Sequence, residues 1–500
     1  MPLDLKQPLR WHDHAKDPDI HSALSGLQAN ILKGHGREHT ANLFFRFGGS
    51  DGGRNFLRAL PLTSALEQLQ AAERFRQGGT GGGPVICAML SARGYESLGI
   101  TPEQRPSSLP RRGEEKEAFR EGMAARARML SDPSPEDLEP SLAQEIHLLV
   151  LVADTTPALV DSTTRKLLAE ARAGNLVLLH LERGKARKNR AGEGVEHFGY
   201  VDGRSQPLLL WEEIEQEWLR TGRPLPATNP EATLGVLENW QWSPVFNLDQ
   251  VLRPCPGGQG FGSYFVFRKL EQDVRGFKAR EKAVAEELGL QGEDEERAGA
   301  LMVGRFEDGT PVVRSPEAQG EKPGNNFNYD DDPAGLRCPM AAHVRKVNTR
   351  TPETRPATMA RRGITYGERE KEPNDTQTPD EMPDKDVGLL FMAYMADIEG
   401  QFEKNQIGFA NDPDFPAPAT GLDPVIGQPK SPVPNLISCP VAWGLPGTKA
   451  VDFRSFVRLR GGEYFFAPCL GFFKTLAPSP PKPPPSSSAA AVTPVALKPS

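Results

Sequence analysis

Apolar positions along this chain fall into two kinds of pattern, and each predicts an element. Short apolar or alternating runs at 41–47 (ANLFFRF), 84–90 (PVICAML), 145–154 (EIHLLVLVAD) and 175–182 (NLVLLHLE) read as strands. Between the first two, residues 63–75 place Leu66, Leu69 and Ala72 on one helical face, and 163–173 reads as a helix between the last two. This is β-α-β twice, the pattern of a split βαβ, ferredoxin-like unit. The second half repeats it less cleanly. A strand at 263–267 leads into a long charged helix over 269–288, a strand at 388–396 leads into a helix at 399–409, and 463–468 (EYFFAP) is a candidate closing strand. The expected fold class is α+β, with two ferredoxin-like units and the Pro-rich stretch 221–257 as their boundary.

The ends and the connections behave differently. Residues 1–22 are polar and read as an arm. Domains are expected at 23–225 and 226–476. From Pro478 to Ser488 six of eleven residues are proline and four are serine, too little apolar surface to offset chain entropy, so 477–500 reads as a disordered tail. Such a tail would present its end, PVALKPS, to a partner such as the inner wall of a protein shell. Residues 305–345 and 350–387 are long and poor in apolar residues, and connections of that length in a folded domain carry function or stay unstructured.

Composition narrows the class. The 500 residues include 49 Gly and 47 Pro, above the ordinary share but below that of a low-complexity chain. Lys+Arg 59 against Asp+Glu 66 gives −7, a mild and mixed charge that excludes a general nucleic-acid surface. No run reaches the ~18 apolar residues of a membrane helix, and the N-terminus has neither an apolar core nor twin arginines, so no membrane segment and no secretory signal are expected. Cys87, Cys255, Cys338, Cys439 and Cys469 are scattered with no C-x-x-C, which indicates neither a disulfide framework nor a thiolate zinc site and fits a reducing cytoplasm.

Among nine histidines, His12 and His14 sit in the polar arm, His35 and His39 flank a loop, and His147 and His180 lie in apolar strands as core residues. His343 differs. In GLRCPMAAHVRKVNTR (335–350) an apolar step precedes it, and Arg345, Lys346 and Arg350 follow. A neutral imidazole can ligate iron, and cations behind it suit the carboxylates of a cofactor such as haem; a buried histidine beside a basic loop is the plainer alternative. In HFGYVDGRSQP (197–207), Gly199 and Gly203 bracket Asp202 and let the backbone turn sharply around one carboxylate, a general acid–base candidate or an ordinary Asp-Gly turn. In MARRGITYGE (359–368), one of two adjacent arginines can point inward. GGTGGG (78–83) lacks the Lys-Ser/Thr of a phosphate loop.

Taken together, these segments resemble the dye-decolourising peroxidase family. Gly199-Tyr200-Val201-Asp202-Gly203 resembles its G-x-x-D-G motif, RCPMAAHVRKVNTR the segment of the haem-ligating histidine, and RRGITYG the segment of the distal arginine. QANILKGHGR (28–37), ARGYESLGI (92–100), GSYFVFRKLEQDV (262–274), MVGRFEDGTPV (302–312) and LLFMAYMADIEGQFE (389–403) resemble further family segments, in the family's order. The resemblance covers residues 25–475, and the long loops are similar to those of the larger bacterial and fungal-like members.

The resemblance implies one haem b per chain, in the C-terminal ferredoxin-like domain. It implies His343 as axial iron ligand, Asp202 as distal acid–base and Arg361 as distal arginine, or Arg362 if the register slips by one. Arg345 becomes a propionate partner. Glu399, in I-E-x-x-F, is the expected carboxylate on the far nitrogen of His343, with Asp397 second. Gly363 stands where compact members carry an Asn. The implied activity is reduction of hydrogen peroxide with one-electron oxidation of bulky phenols or dyes. Tyr366, Tyr394, Trp240, Trp242 and Trp443 are candidate electron relays. A haem-handling protein, or a shell cargo held by its tail, are the alternatives, and a homo-oligomer is left open.

Overall fold

Alternation sorts strand residues onto two faces, and the structure uses both. It is a computed structural model that describes residues 3–107, 117–219, 240–256, 260–320, 324–429 and 434–476. The tail 477–500 and, within the boundary stretch, residues 221–239 and 257 lie outside the described residues. Strands β1 (His39–Phe47), β2 (Val85–Leu90), β3 (Leu148–Asp154) and β4 (Leu176–Lys185) form an antiparallel sheet in the order β2-β3-β1-β4. Strands β5 (Phe261–Gln272), β6 (Ile364–Tyr366), β7 (Gly388–Met395) and β8 (Val457–Ala467) form a second in the order β6-β7-β5-β8. The permutation is the same in both, the first strand lying between the third and fourth, which is the ferredoxin-like arrangement. The sheets join where Phe466 pairs with Leu90, and their far edges meet where the Thr365 hydroxyl donates to the Lys185 carbonyl. Two α+β units thus close into one barrel-like body.

The inward faces are aromatic. Phe44 of β1, Phe265 and Phe267 of β5, Met392 of β7 and Phe465 of β8 are fully buried in one cluster. Phe44 meets Phe267 edge-on at 4.8 Å across the two sheets, a contact worth about 0.5–1.5 kcal/mol beyond area burial. Helix α1 (Ala65–Arg76) joins this cluster through Leu66 and Leu69, and Ser64 and Glu67 cap its start reciprocally.

The outward faces differ between the units. On the N-terminal sheet, Leu43, Phe45, Val150 and Val152 are covered by Phe56, Leu57 and α2 (Pro157–Ala173) through Val160 and Leu167. On the C-terminal sheet, Tyr264, Val266, Ala393 and Met395 lie under Ile398 and Phe402 of a π-helix, Ile398–Ala410. The remaining half of that face, including Arg268, Leu270, Leu389 and Leu459, borders a cavity. Helices α3 (Val274–Leu288) and α4 (Glu296–Val303) do not cover it; they build a separate core around Phe277 with Phe198, Leu301 and Phe453.

Four elements depart from the sequence expectation. The charged helix expected from 269 begins at Val274, because residues 268–271 are paired on both sides, with β7 and β8, and Asp273 caps the helix through the Gly276 amide at 2.8 Å. The helix at 399–409 is present but wound with π spacing. The three-residue β6 supplies the strand that the second unit lacked. The first residues are not a solvated arm: the Leu9 amide bonds the Leu209 carbonyl at 2.9 Å, and Trp11 is buried. Two apolar anchors outweigh the polar composition around them.

One buried ion pair ties the helix Met123–Leu130 to the π-helix. The Arg126 guanidinium donates to both oxygens of Glu403, at 2.6 and 2.7 Å, and the Tyr464 hydroxyl donates to the same carboxylate at 3.0 Å. Arg126→Met strands a buried carboxylate and is expected to cost about 3–5 kcal/mol, read from the shift of the denaturant midpoint. The double variant Arg126→Met/Glu403→Leu should recover a large part of that loss.

Candidate active site

The cavity over the open half of the C-terminal sheet collects groups from four distant segments: His343 of α5 (His343–Val347), Asp202 and Arg204 of the loop after β4, Arg305 after α4, and Arg361 before β6. Leu389, Phe391, Phe402 and Leu459 supply apolar wall.

His343 enters with its Nδ1 already engaged. Its partner is Asp423, whose Oδ2 lies at 2.8 Å and whose side chain is fully buried. The other carboxylate oxygen of Asp423 accepts the amides of Val425 and Ile426 at 2.8 and 2.9 Å. A carboxylate acceptor fixes the proton on Nδ1, so Nε2 of a neutral imidazole keeps its lone pair free for a metal. This corrects the expectation for Glu399. Its carboxylate accepts the Ala118 amide at 2.7 Å, and burial raises its pKa to about 7. Asp397 does not pair with His343 either. The residue that sequence reasoning missed, Asp423, is a lone acid between Leu422 and Val425–Ile426, eighty positions from its partner. Its apolar setting was the one local signal.

Arg345 is also corrected. Its guanidinium donates to Asp332 Oδ2 at 2.8 Å, to the Asp332 carbonyl at 2.7 Å and to the Cys338 carbonyl at 2.6 Å, and it does not border the cavity. It braces the loop ahead of His343. Being two residues on from His343 in a short helix turns it away from the imidazole.

The G-x-x-D-G loop is held from several sides. Gly199 (φ 104°) and Gly203 (φ 85°) adopt backbone that other residues resist, and a Cβ on Gly199 would also press on Glu307 and Asn374. The Tyr200 hydroxyl donates to Glu281 at 2.6 Å, and Phe198 stacks on Phe277 at 4.0 Å. The loop therefore rides on α3, a C-terminal element, although it follows the N-terminal unit in sequence. Glu196 anchors its start by accepting the Phe198 and Tyr200 amides at 2.8 and 3.0 Å; burial still raises its pKa to about 7.

Of the two adjacent arginines, Arg361 faces the cavity. Its guanidinium lies 4.0 Å from Asp202 Oδ1 and donates to the Arg204 carbonyl at 2.7 Å. With about a third of each side chain exposed, that pair contributes at most ~1 kcal/mol and leaves the carboxylate available. Arg362, next in the chain, turns the other way and donates to the carbonyls of Asn30, Ile31 and Arg361. Tyr366, Tyr394, Trp240, Trp242 and Trp443 do not border the cavity.

Comparison with known proteins gives the family. Residues 258–414 match the family model "Dyp-type peroxidase, C-terminal". The multifunctional dye peroxidase DyP2 of Amycolatopsis is 40% identical over 95% of this chain and all of its own. The chain belongs to the dye-decolourising peroxidase family. The solved structure of DyP2 superposes on this peroxidase with a TM-score of 0.83, at 38% identity, over 94% of this chain and all of that one. A DyP-type peroxidase of Anabaena gives 0.83 at 35% identity, over 95% of this chain and 99% of its own. Membership implies a haem cofactor, and the donor set fits one: a free imidazole nitrogen backed by a carboxylate, apolar walls, and cations at the rim. Among the described residues no helix is long and apolar enough to cross a membrane.

Glu196 sets a pH dependence. Its folded pKa, about 7, lies above the ordinary 4.5, so the folded state holds the proton more tightly than the unfolded chain does. Its contribution to stability is complete below pH 4.5 and is lost as pH rises through 7, by roughly 1.4 kcal/mol per unit across that window. Thermal denaturation of Glu196→Gln from pH 4 to 8 should lack this slope while keeping the rest of the wild-type profile.

Proposed function

We propose that this peroxidase reduces hydrogen peroxide and oxidises bulky phenolic or dye-type reductants by one-electron steps, with one haem b held by His343. The observation that carries the reading is the convergence on one cavity of an imidazole with a free Nε2, a carboxylate and a guanidinium, each from a separate segment, with the imidazole held by Asp423 and the guanidinium by the Arg204 carbonyl.

The haem, when bound, supplies a redox-active iron that carries oxidising equivalents from peroxide to the reductant. His343 would hold that iron through Nε2. Asp423 keeps the imidazole in one tautomer and orientation and adds negative charge behind it, which favours the oxidised metal. Arg204, Arg305 and Arg361 make the cavity electropositive where the haem carboxylates and the peroxide must sit. Asp202 takes the proton from the inner peroxide oxygen and returns it to the outer one, which leaves as water. Arg361 stabilises the negative charge that develops across the O–O bond. A haem carrier has no use for either of these last two groups, and their joint placement favours the enzyme over the haem-handling reading.

Asp202→Asn and Arg361→Leu are each expected to lower kcat/KM for peroxide by about 10²–10³-fold with haem retained. Full turnover and an unchanged rate of Soret change on peroxide addition in both would overturn the distal roles. His343→Ala should lose the bound haem spectrum or its axial signature. Asp423→Asn should weaken haem retention by about 10–100-fold, whereas Glu399→Gln should leave it unchanged; the reverse order would restore Glu399 as the histidine's partner.

A further inference from the structure

The five cysteines are free and buried, and two of them touch. Cys255 precedes β5, and Cys469 follows β8 at the start of α6 (Leu470–Thr475), on the side of the barrel where Ser263 pairs with Ala467. The Cys469 amide donates to Cys255 Sγ at 3.1 Å, which sets the Cys255 sulfur against the backbone of its neighbour. The backbone around the pair is held without any covalent link. The Cys255 amide bonds the Gly260 carbonyl at 3.0 Å, Gly260 itself packs against Cys469, and Gln28 donates to the Pro468 carbonyl at 2.8 Å. Cys255 and Cys469 are therefore neighbours on a backbone held by its own hydrogen bonds, the adjacency that a disulfide needs.

The two thiols are also electronically unequal. The Cys255 thiol and the amides of Gly471 and Phe472 draw the pKa of Cys469 down to about 7, while that of Cys255 is pushed up. Burial pushes Cys87, Cys338 and Cys439 up to about 12. Of the five thiols, that of Cys469 is the one drawn below its ordinary pKa, and Cys255 is its contact neighbour.

We propose that Cys255 and Cys469 form a reversible disulfide in the presence of hydrogen peroxide, fastening the start of α6 to the entry of β5. The Cys469 thiolate attacks one peroxide oxygen, breaking the O–O bond to give a sulfenic acid while the other oxygen leaves as water after taking up a proton. The Cys255 sulfur then attacks the sulfenic sulfur, the S–S bond forms, and the sulfenic oxygen leaves as a second water with the Cys255 proton. Two thiols are oxidised by two electrons and one peroxide is reduced to two waters. The bond would secure α6, whose Phe472 and Phe473 are buried in the core, at the point where the described chain ends. An enzyme that works in peroxide would in this way strengthen its own closure when the oxidant is abundant.

The test uses the full-length holoenzyme. The reduced protein is freed of reductant and treated separately with a few equivalents of peroxide and with diamide, an oxidant independent of haem. Intact mass should fall by about 2 Da, a peptide map should show one cross-link, between the peptides of Cys255 and Cys469, and dithiothreitol should reverse both. Amide exchange over 468–476 should slow by about tenfold in the oxidised form. The proposal fails if both oxidants leave the two thiols free to alkylation. It fails equally if oxidation appears as gains of about 16 or 32 Da on Cys469 without a cross-link, or if the cross-link joins other cysteines.

Discussion

The aromatic rows between the two sheets constrain everything else in this molecule. Side chains on a strand alternate, so burying Phe265 and Phe267 of β5 in the barrel sends Tyr264, Val266, Arg268 and Leu270 to the opposite face. A slip of one residue would put Arg268 among phenylalanines and remove one wall of the cavity. Arg268 instead pairs with Asp132, both nearly fully buried, and lies over the Phe402 ring at 5.5 Å, so the charge that alternation forces onto that face is neutralised there. Core and active site are two faces of the same strands.

The two units also show what separates a scaffold from a site. They share one strand permutation, yet helices cover the outer face of the N-terminal sheet and only half of the C-terminal one. The difference lies in where α3 and α4 find their apolar partners. Phe277 packs on Phe198, Phe453 and Phe456 instead of on the sheet, which keeps these helices off the strands and pulls the G-x-x-D-G loop along with them. The acid that faces the cavity, Asp202, is consequently positioned by the core of the unit that contains the cavity. Two buried arginines beside the site are multiply bonded, Arg345 on Asp332 and Arg362 on three carbonyls, while Asp202 and Arg361 meet at 4.0 Å and remain partly exposed.

Much of this was legible along the chain. The first sheet and its crossover α2 followed from apolar periodicity, because each strand there is long and continuous. Asp202, His343 and Arg361 stood out because glycines, an apolar step and paired arginines mark them locally. What escaped notice was short or distant. β6 has three residues, too few for a period, and exists because β7 offers it a free edge. The start of α3 was misplaced because the charges of residues 268–271 mimic a helix surface, and only the presence of strands on both sides makes them a ladder. Trp11 and Leu9 bind the N-terminus through partners two hundred positions away.

By itself the sequence determined the class of the protein, the number of sheet units, and two of the groups that face the cavity, Asp202 and His343, since each depends on neighbours within a few residues. The tertiary structure alone decided which acid backs the histidine, which arginine turns inward, and which cysteines meet. Along the chain Glu399 is the better-marked acid and Asp423 the missed one. They differ in whether the chain, once the sheets have closed, brings the carboxylate within 2.8 Å of Nδ1, and hydrogen bonding is a matter of ångströms in space, to which distance along the chain is indifferent.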